Sequence, residues 1–155
     1  MSADSGSASS SKLYSPRLLA LSAQLADFPL SRQFAFNCDL RSRTCGSTIT
    51  IGADLDGAGL IAGIGMQVAA CAVGQSSAAV MAIAARGSSP ADSTEALQSI
   101  ENWLSGEGPP PQWPGFDALH PALPHKGRHE ALLLPWRALN QALSTAALSS
   151  GASNG

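Results

Sequence analysis

Three alternating stretches between residues 34 and 70 constrain this chain more than anything else in it. Phe34, Phe36, Cys38 and Leu40 interleave with Ala35, Asn37, Asp39 and Arg41. Ile49, Ile51, Ala53 and Leu55 interleave with Thr48, Thr50, Gly52 and Asp54, and Leu60, Ala62, Ile64, Met66, Val68 and Ala70 with Ile61, Gly63, Gly65, Gln67 and Ala69. A period of two sends alternate side chains to opposite faces, so the three stretches predict an antiparallel sheet with one covered face. Asp56-Gly57-Ala58-Gly59 is a tight turn between the second and third strands. Asp54-Leu55-Asp56-Gly57 begins like a calcium loop, but the remaining ligand positions are missing.

The rest of the chain reads as the cover for that sheet. Leu18, Leu21 and Leu25 share one face of a helix over 13–30, ended by Asp27-Phe28-Pro29 because the residue before a proline avoids helical angles. After the sheet a helix is predicted from about Ser76 to Ala85, stopping at Gly87. Asp92 with Glu95 three residues on suggests a capping box for a helix whose inward stripe is Leu97, Ile100 and Leu104, closed by Gly106. Four prolines make Gly108 to Pro114 an extended loop, with a short helical turn around Phe116 to Leu119. A last helix runs from about His129 to Ala147, burying Leu132, Trp136, Leu139 and Leu143, with Pro135 near its first turn or bending it. The expected fold is α+β: a three-stranded antiparallel sheet with helices packed on one face. A chain of 155 residues suggests one domain, here 13–147, between polar tails at 1–12 and 148–155 that are expected to be disordered.

Composition excludes several classes of function. Charged residues are 13% of the chain and its net charge is −2 with no basic run, which argues against nucleic acid and against an electrostatic hold on lipid. Leu60 to Ala85 carries no charge and is long enough to span a bilayer, but Gln67, Gln75 and three glycines interrupt it and its first part alternates. The start lacks the basic and apolar regions of a secretory signal. An odd count of three cysteines without a disulfide framework places the chain in a reducing cytoplasm.

Those cysteines carry the candidate chemistry. Cys38 falls on the apolar face of the first strand and reads as packing. Cys45 sits in the polar loop Arg43-Thr44-Cys45-Gly46-Ser47. Cys71 sits where the third strand gives way to a helix, a junction whose unpaired N–H groups and dipole favour an anion and hence a thiolate. The meander brings Cys45 and Cys71, 71 − 45 = 26 residues apart, to the same end of the sheet. His129, opening the last helix, is positioned to approach that end; two thiolates and an imidazole suit zinc or an iron–sulfur cluster. Cys71 with His129 as base would alternatively make a thiol enzyme. There is no G-x-S-x-G elbow, P-loop or dinucleotide fingerprint.

At these residues the chain resembles the NifU/IscU-type iron–sulfur cluster assembly scaffold family, in its SufU-like branch, over about 13–143. Thr44-Cys45-Gly46-Ser47 is similar to that family's Cys-Gly-Asp loop, and Ala70-Cys71-Ala72-Val73-Gly74-Gln75-Ser76-Ser77 to its Gly-Cys segment and Ala/Ser-rich helix. The interval between the two cysteines matches. Gly127-Arg128-His129-Glu130-Ala131-Leu132-Leu133-Leu134-Pro135-Trp136-Arg137-Ala138-Leu139 resembles the family's Ala-Arg-x-x-Cys-x-x-Leu-x-Trp-x-Ala-Leu ending, and the proline-rich stretch before it resembles the SufU-type insertion. The family's aspartate falls on Ser47, and its third cysteine on Ala131. The resemblance implies a SufE/NifU-like fold and a non-enzymatic scaffold or sulfur acceptor, holding iron, zinc or persulfide on Cys45 and Cys71. His129 would be the replacement ligand, with Arg128 stabilising thiolate or sulfide. It also implies a transient 2Fe–2S cluster or zinc, with a cysteine desulfurase and cluster-receiving proteins as partners. The two missing ligands leave an alternative, a metal-free paralogue serving as a protein-interaction module.

Overall fold

The polar loop and the tight turn read in the sequence close two hairpins, and α-helices cover one face of the result. The structure, a computed structural model, describes residues 13–154, with side chains described through Ser144. Strands β1 (Phe36–Arg41), β2 (Thr48–Leu55) and β3 (Ile61–Ala69) form one antiparallel sheet in the order β1-β2-β3. Before them comes α1 (Pro16–Gln24) with a 3-10 turn at Leu25–Asp27; after them come α2 (Ala72–Ala85), α3 (Pro90–Leu104) and α4 (His129–Asn154). The expected α+β architecture is therefore present. Ile49, Ile51 and Ala53 of β2 meet Val68, Met66 and Ile64 of β3 in register, and the face they share with Cys38 is covered by α2 and α4. Leu132, Trp136, Leu139 and Leu143 of α4 are all buried there. No helix among the described residues is long and apolar enough to cross a membrane.

Several boundaries differ from those read in the sequence. The first helix ends at Gln24, four residues short of Phe28-Pro29, and Ser15 caps it by accepting from the Leu18 N–H at 3.1 Å. α2 begins at Ala72, four residues earlier than expected, because Cys71 is already extended and serves as its N-cap. α3 is capped by Ser89, not Asp92: Ser89 Oγ accepts from the Asp92 N–H and the Asp92 carboxylate accepts from the Ser89 N–H, with Pro90 leading the helix. Pro135 lies in the second turn of α4, where it has no N–H to donate to the Ala131 carbonyl one turn before it. That helix continues to Asn154, past the expected domain boundary at 147. The tail expected at 1–12 lies outside the described residues.

Two core assignments change face. A bulge between Asp54 and Leu55 pairs Leu55 with Ile61, which turns Ile61 inward and buries it, against its place in the simple alternation. Phe34 precedes β1 rather than belonging to it, and its ring lies on the opposite face of the sheet from Cys38. A Cβ at Gly52 would come within 2.5 Å of that ring and one at Gly65 within 2.6 Å, so the two paired glycines form its floor. The Arg32 guanidinium covers it from outside, 4.1 Å from the ring centroid and held by Asp54 at 2.6 Å.

Candidate functional site: a thiol rim at one end of the sheet

The register brings the two candidate thiols to one end. Arg41 pairs with Thr48 and Thr48 with Ala69, so the loop 42–47 and the segment after Ala69 leave the sheet side by side. That loop is closed by the Ser42 N–H donating to the Ser47 carbonyl at 2.8 Å, and Gly46 supplies the positive φ of 72° that its turn needs. Both serines are buried, yet their hydroxyls reach the exposed Cys45. The thiol donates to Ser42 Oγ at 3.1 Å, shares a hydrogen with Ser47 Oγ at 3.0 Å, and the Cys45 N–H donates to Ser42 Oγ at 3.3 Å. Partial burial opposes ionisation of this thiol. The Ser42 and Ser47 hydroxyls and the loop N–H groups outweigh it, and hold Cys45 below the ordinary thiol range.

Cys71 is half-buried at the N-cap of α2, with φ −67° and ψ 172°, and its side chain caps nothing. The N-terminus of α4 arrives beside it. A Cβ on Gly74 would stand 2.8 Å from the Ala70 Cβ and 3.3 Å from both the Cβ and the carbonyl of Ala131, so the strand end and the two helices approach closely at this glycine, one turn after Cys71. The 3-10 turn Lys126–Arg128 carries Arg128 to the same rim, where its Nε donates to the Tyr14 hydroxyl at 3.3 Å. The Tyr14 hydroxyl, and after it the charges of Cys71 and Cys45, hold the guanidinium above its ordinary value. Cys38 remains apart, buried in the sheet, where burial and then Asp39 push its thiol up.

The other candidate ligands are placed differently. His129 opens α4, but its Nε2 is bonded to the Leu123 carbonyl at 2.7 Å. Ser47 is engaged with Cys45, and Ala131 is sealed against Gly74 with no donor atom to offer. Among the described residues, no group of three or more His, Cys, Asp or Glu side chains is arranged to hold a metal ion. Structural zinc takes four ligands and catalytic zinc three from protein. This donor set does not fit a resident metal within one chain. Sequence reasoning missed Ser42 and Tyr14. The hydroxyl-x-x-Cys spacing of Ser42 was a faint signal; Tyr14, 114 residues from Arg128, gave none.

The fold is of the NifU/IscU type. A NifU-like protein (N-terminal part) from Brucella abortus superposes with a TM-score of 0.78 at 25% identity, covering 88% of this chain and 95% of that one. A protein assigned as an iron–sulfur cluster assembly scaffold for the SUF system of Fervidobacterium islandicum AW-1 gives 0.72 at 22% identity, covering 86% and 98%. A hypothetical protein gives 0.60 at 20% identity, covering 82% and 96%. No family model and no curated protein matches the sequence. The resemblance read in the sequence is thus borne out in the fold.

Proposed function

We propose that this chain is a divergent iron–sulfur cluster assembly protein that receives sulfur on Cys45 and Cys71 in the cytoplasm. The observation that carries the reading is the pair of thiols at one sheet end, with Cys45 cradled by two serine hydroxyls and Arg128, held by Tyr14, in the turn that leads into α4. The fold shared with the Brucella and Fervidobacterium proteins supports it. In the transfer, the Cys45 thiolate attacks the outer sulfur of a persulfide on a donor cysteine. A new S–S bond forms on Cys45 as the donor's S–S bond breaks, and the donor leaves as a thiolate. No electrons are gained or lost overall. Arg128 neutralises the charge that then rests on the outer sulfur, and Cys71 is the second acceptor. The protein is an acceptor and not a catalyst, and a cysteine desulfurase is the natural donor. An iron–sulfur cluster would be cargo, held by the two thiols with ligands from elsewhere.

Incubation with a cysteine desulfurase and cysteine, followed by mass spectrometry, tests this. Wild type should gain the mass of one sulfur atom on Cys45 or Cys71, and Cys45→Ala should lose most of it. Equal sulfur on wild type and on a Cys45→Ala/Cys71→Ala variant would refute the proposal. The missing aspartate and third cysteine favour the second reading, a metal-free interaction module, and stoichiometric iron or zinc in protein isolated without oxygen would eliminate it.

A further inference from the structure

Among the described residues two cations are held by uncharged groups, Arg128 by the Tyr14 hydroxyl and Arg86, at the far end of α2 from the thiols, by the Ala62 carbonyl at 3.1 Å; the others fall into two groups. Arg17, Arg32 and Arg137 are ion-paired with Asp117, Asp54 and the Glu101 and Glu130 pair. Arg41, Arg43 and Lys126 are exposed and form no ion pair among the described residues. All three flank the thiols: Arg41 ends β1 in the row with Thr48 and Ala69, Arg43 is in the Cys45 loop, and Lys126 opens the turn that carries Arg128. The N-termini of α2 and α4 meet there as well, adding the positive ends of two helix dipoles. Of the nearest acids, Asp39 lies two residues before Arg41 on the outer face of β1, and Glu130 is taken by Arg137. Most of the negative charge lies elsewhere. Asp54 and Asp56 are at the far end of the sheet, and Asp92, Glu95, Glu101 and Glu107 run along and just past α3. A chain of net charge −2 is thus polarised, with its positive pole around the sulfurs.

We infer that this rim is a docking surface for a partner protein that presents carboxylates around its sulfur-bearing cysteine. The inference rests on the proposed sulfur transfer and adds the recognition chemistry to it. Unpaired exposed cations stay hydrated in the free protein and act mainly by steering encounter and fixing orientation. Two features favour a protein over a nucleic acid. The chain has no basic run to follow a phosphate backbone. Leu123, one of the few large apolar side chains exposed among the described residues, lies three residues before Lys126 with its carbonyl held by His129, and it offers an apolar anchor next to the cationic turn.

The test compares wild type with Arg41→Gln/Arg43→Gln/Lys126→Gln, a variant that changes only exposed side chains and leaves Arg128 and both thiols in place. The measurement is the initial rate of sulfur transfer from a cysteine desulfurase of the same cells, at low and high sodium chloride. The wild-type rate should fall roughly tenfold as salt rises. The variant should start about tenfold slower and respond little to salt. Its alkylation by uncharged iodoacetamide and its circular dichroism should match wild type. Equal rates and equal salt dependence in the two proteins would overturn the inference while leaving sulfur transfer intact. If wild type takes no sulfur at any salt, the functional reading fails and the docking inference falls with it. Tight binding of a fluorescein-labelled DNA duplex by wild type, lost in the variant, would overturn it in favour of nucleic acid.

Discussion

Ser77→Ala probes the tie between the two helices whose N-termini flank the thiols. The Ser77 hydroxyl donates to the Leu132 carbonyl of α4 at 2.6 Å and accepts from Trp136 Nε1 at 2.8 Å, and both Ser77 and Trp136 are fully buried. Alanine leaves the indole N–H with no acceptor in a dry site. An orphaned buried donor costs about 1–3 kcal/mol. The Leu132 carbonyl loses less, since the helix still offers it a partner, and the oxygen's volume is small. The expected loss is about 2 kcal/mol, which lowers the melting temperature of a chain this size by about 4–8 °C. Urea denaturation followed by far-ultraviolet circular dichroism measures it. Trp136→Phe removes the donor, so Ser77→Ala in that background should cost under about 1 kcal/mol, the difference being the coupling energy of the pair. An equal cost of Ser77→Ala in both backgrounds, or a cost near zero in wild type, would refute the reasoning.

Two further predictions concern the sulfurs. Ser42→Ala and Ser47→Ala each remove a hydroxyl that favours the Cys45 thiolate, so the midpoint of Cys45 alkylation by iodoacetamide should move to higher pH and the rate at neutral pH should fall; unchanged pH–rate profiles would show that the hydroxyls do not act on the sulfur. Ser47→Asp/Ala131→Cys restores the two missing donors beside Cys45 and Cys71. After gel filtration it should retain one zinc per chain by elemental analysis, where wild type retains a substoichiometric amount; equal zinc in the two would mean that the ligand set is not what limits binding.

The sheet was legible because nothing interrupts its period-two alternation except two polar loops. Its errors arose where tertiary structure overrides that pattern. Ile61 changes face through a bulge that no residue type announces, and Phe34 changes face because paired glycines make room for a ring across the sheet. The start of α2 was misplaced because its N-cap, Cys71, lacks the polar side chain by which such caps are recognised. At Ser89-Pro90-Ala91-Asp92 two good capping residues compete, and Pro90 decides for Ser89. The shared end of the two thiols followed from meander topology alone. The serine cradle and the Tyr14 contact with Arg128 did not, because they depend on a six-residue loop closing on itself and on chain segments that meet only in the fold.

The aromatic ring laid across Gly52 and Gly65 has a consequence for how this sequence can vary. A side chain at either glycine would evict Phe34, and a smaller residue at 34 would uncover a bare strip of backbone under Arg32. The three positions are locked together, so they can drift only as a set. The helix-free back of the sheet is thereby closed by the chain's own material, and selection is left to act at the opposite pole, on the residues around the sulfurs.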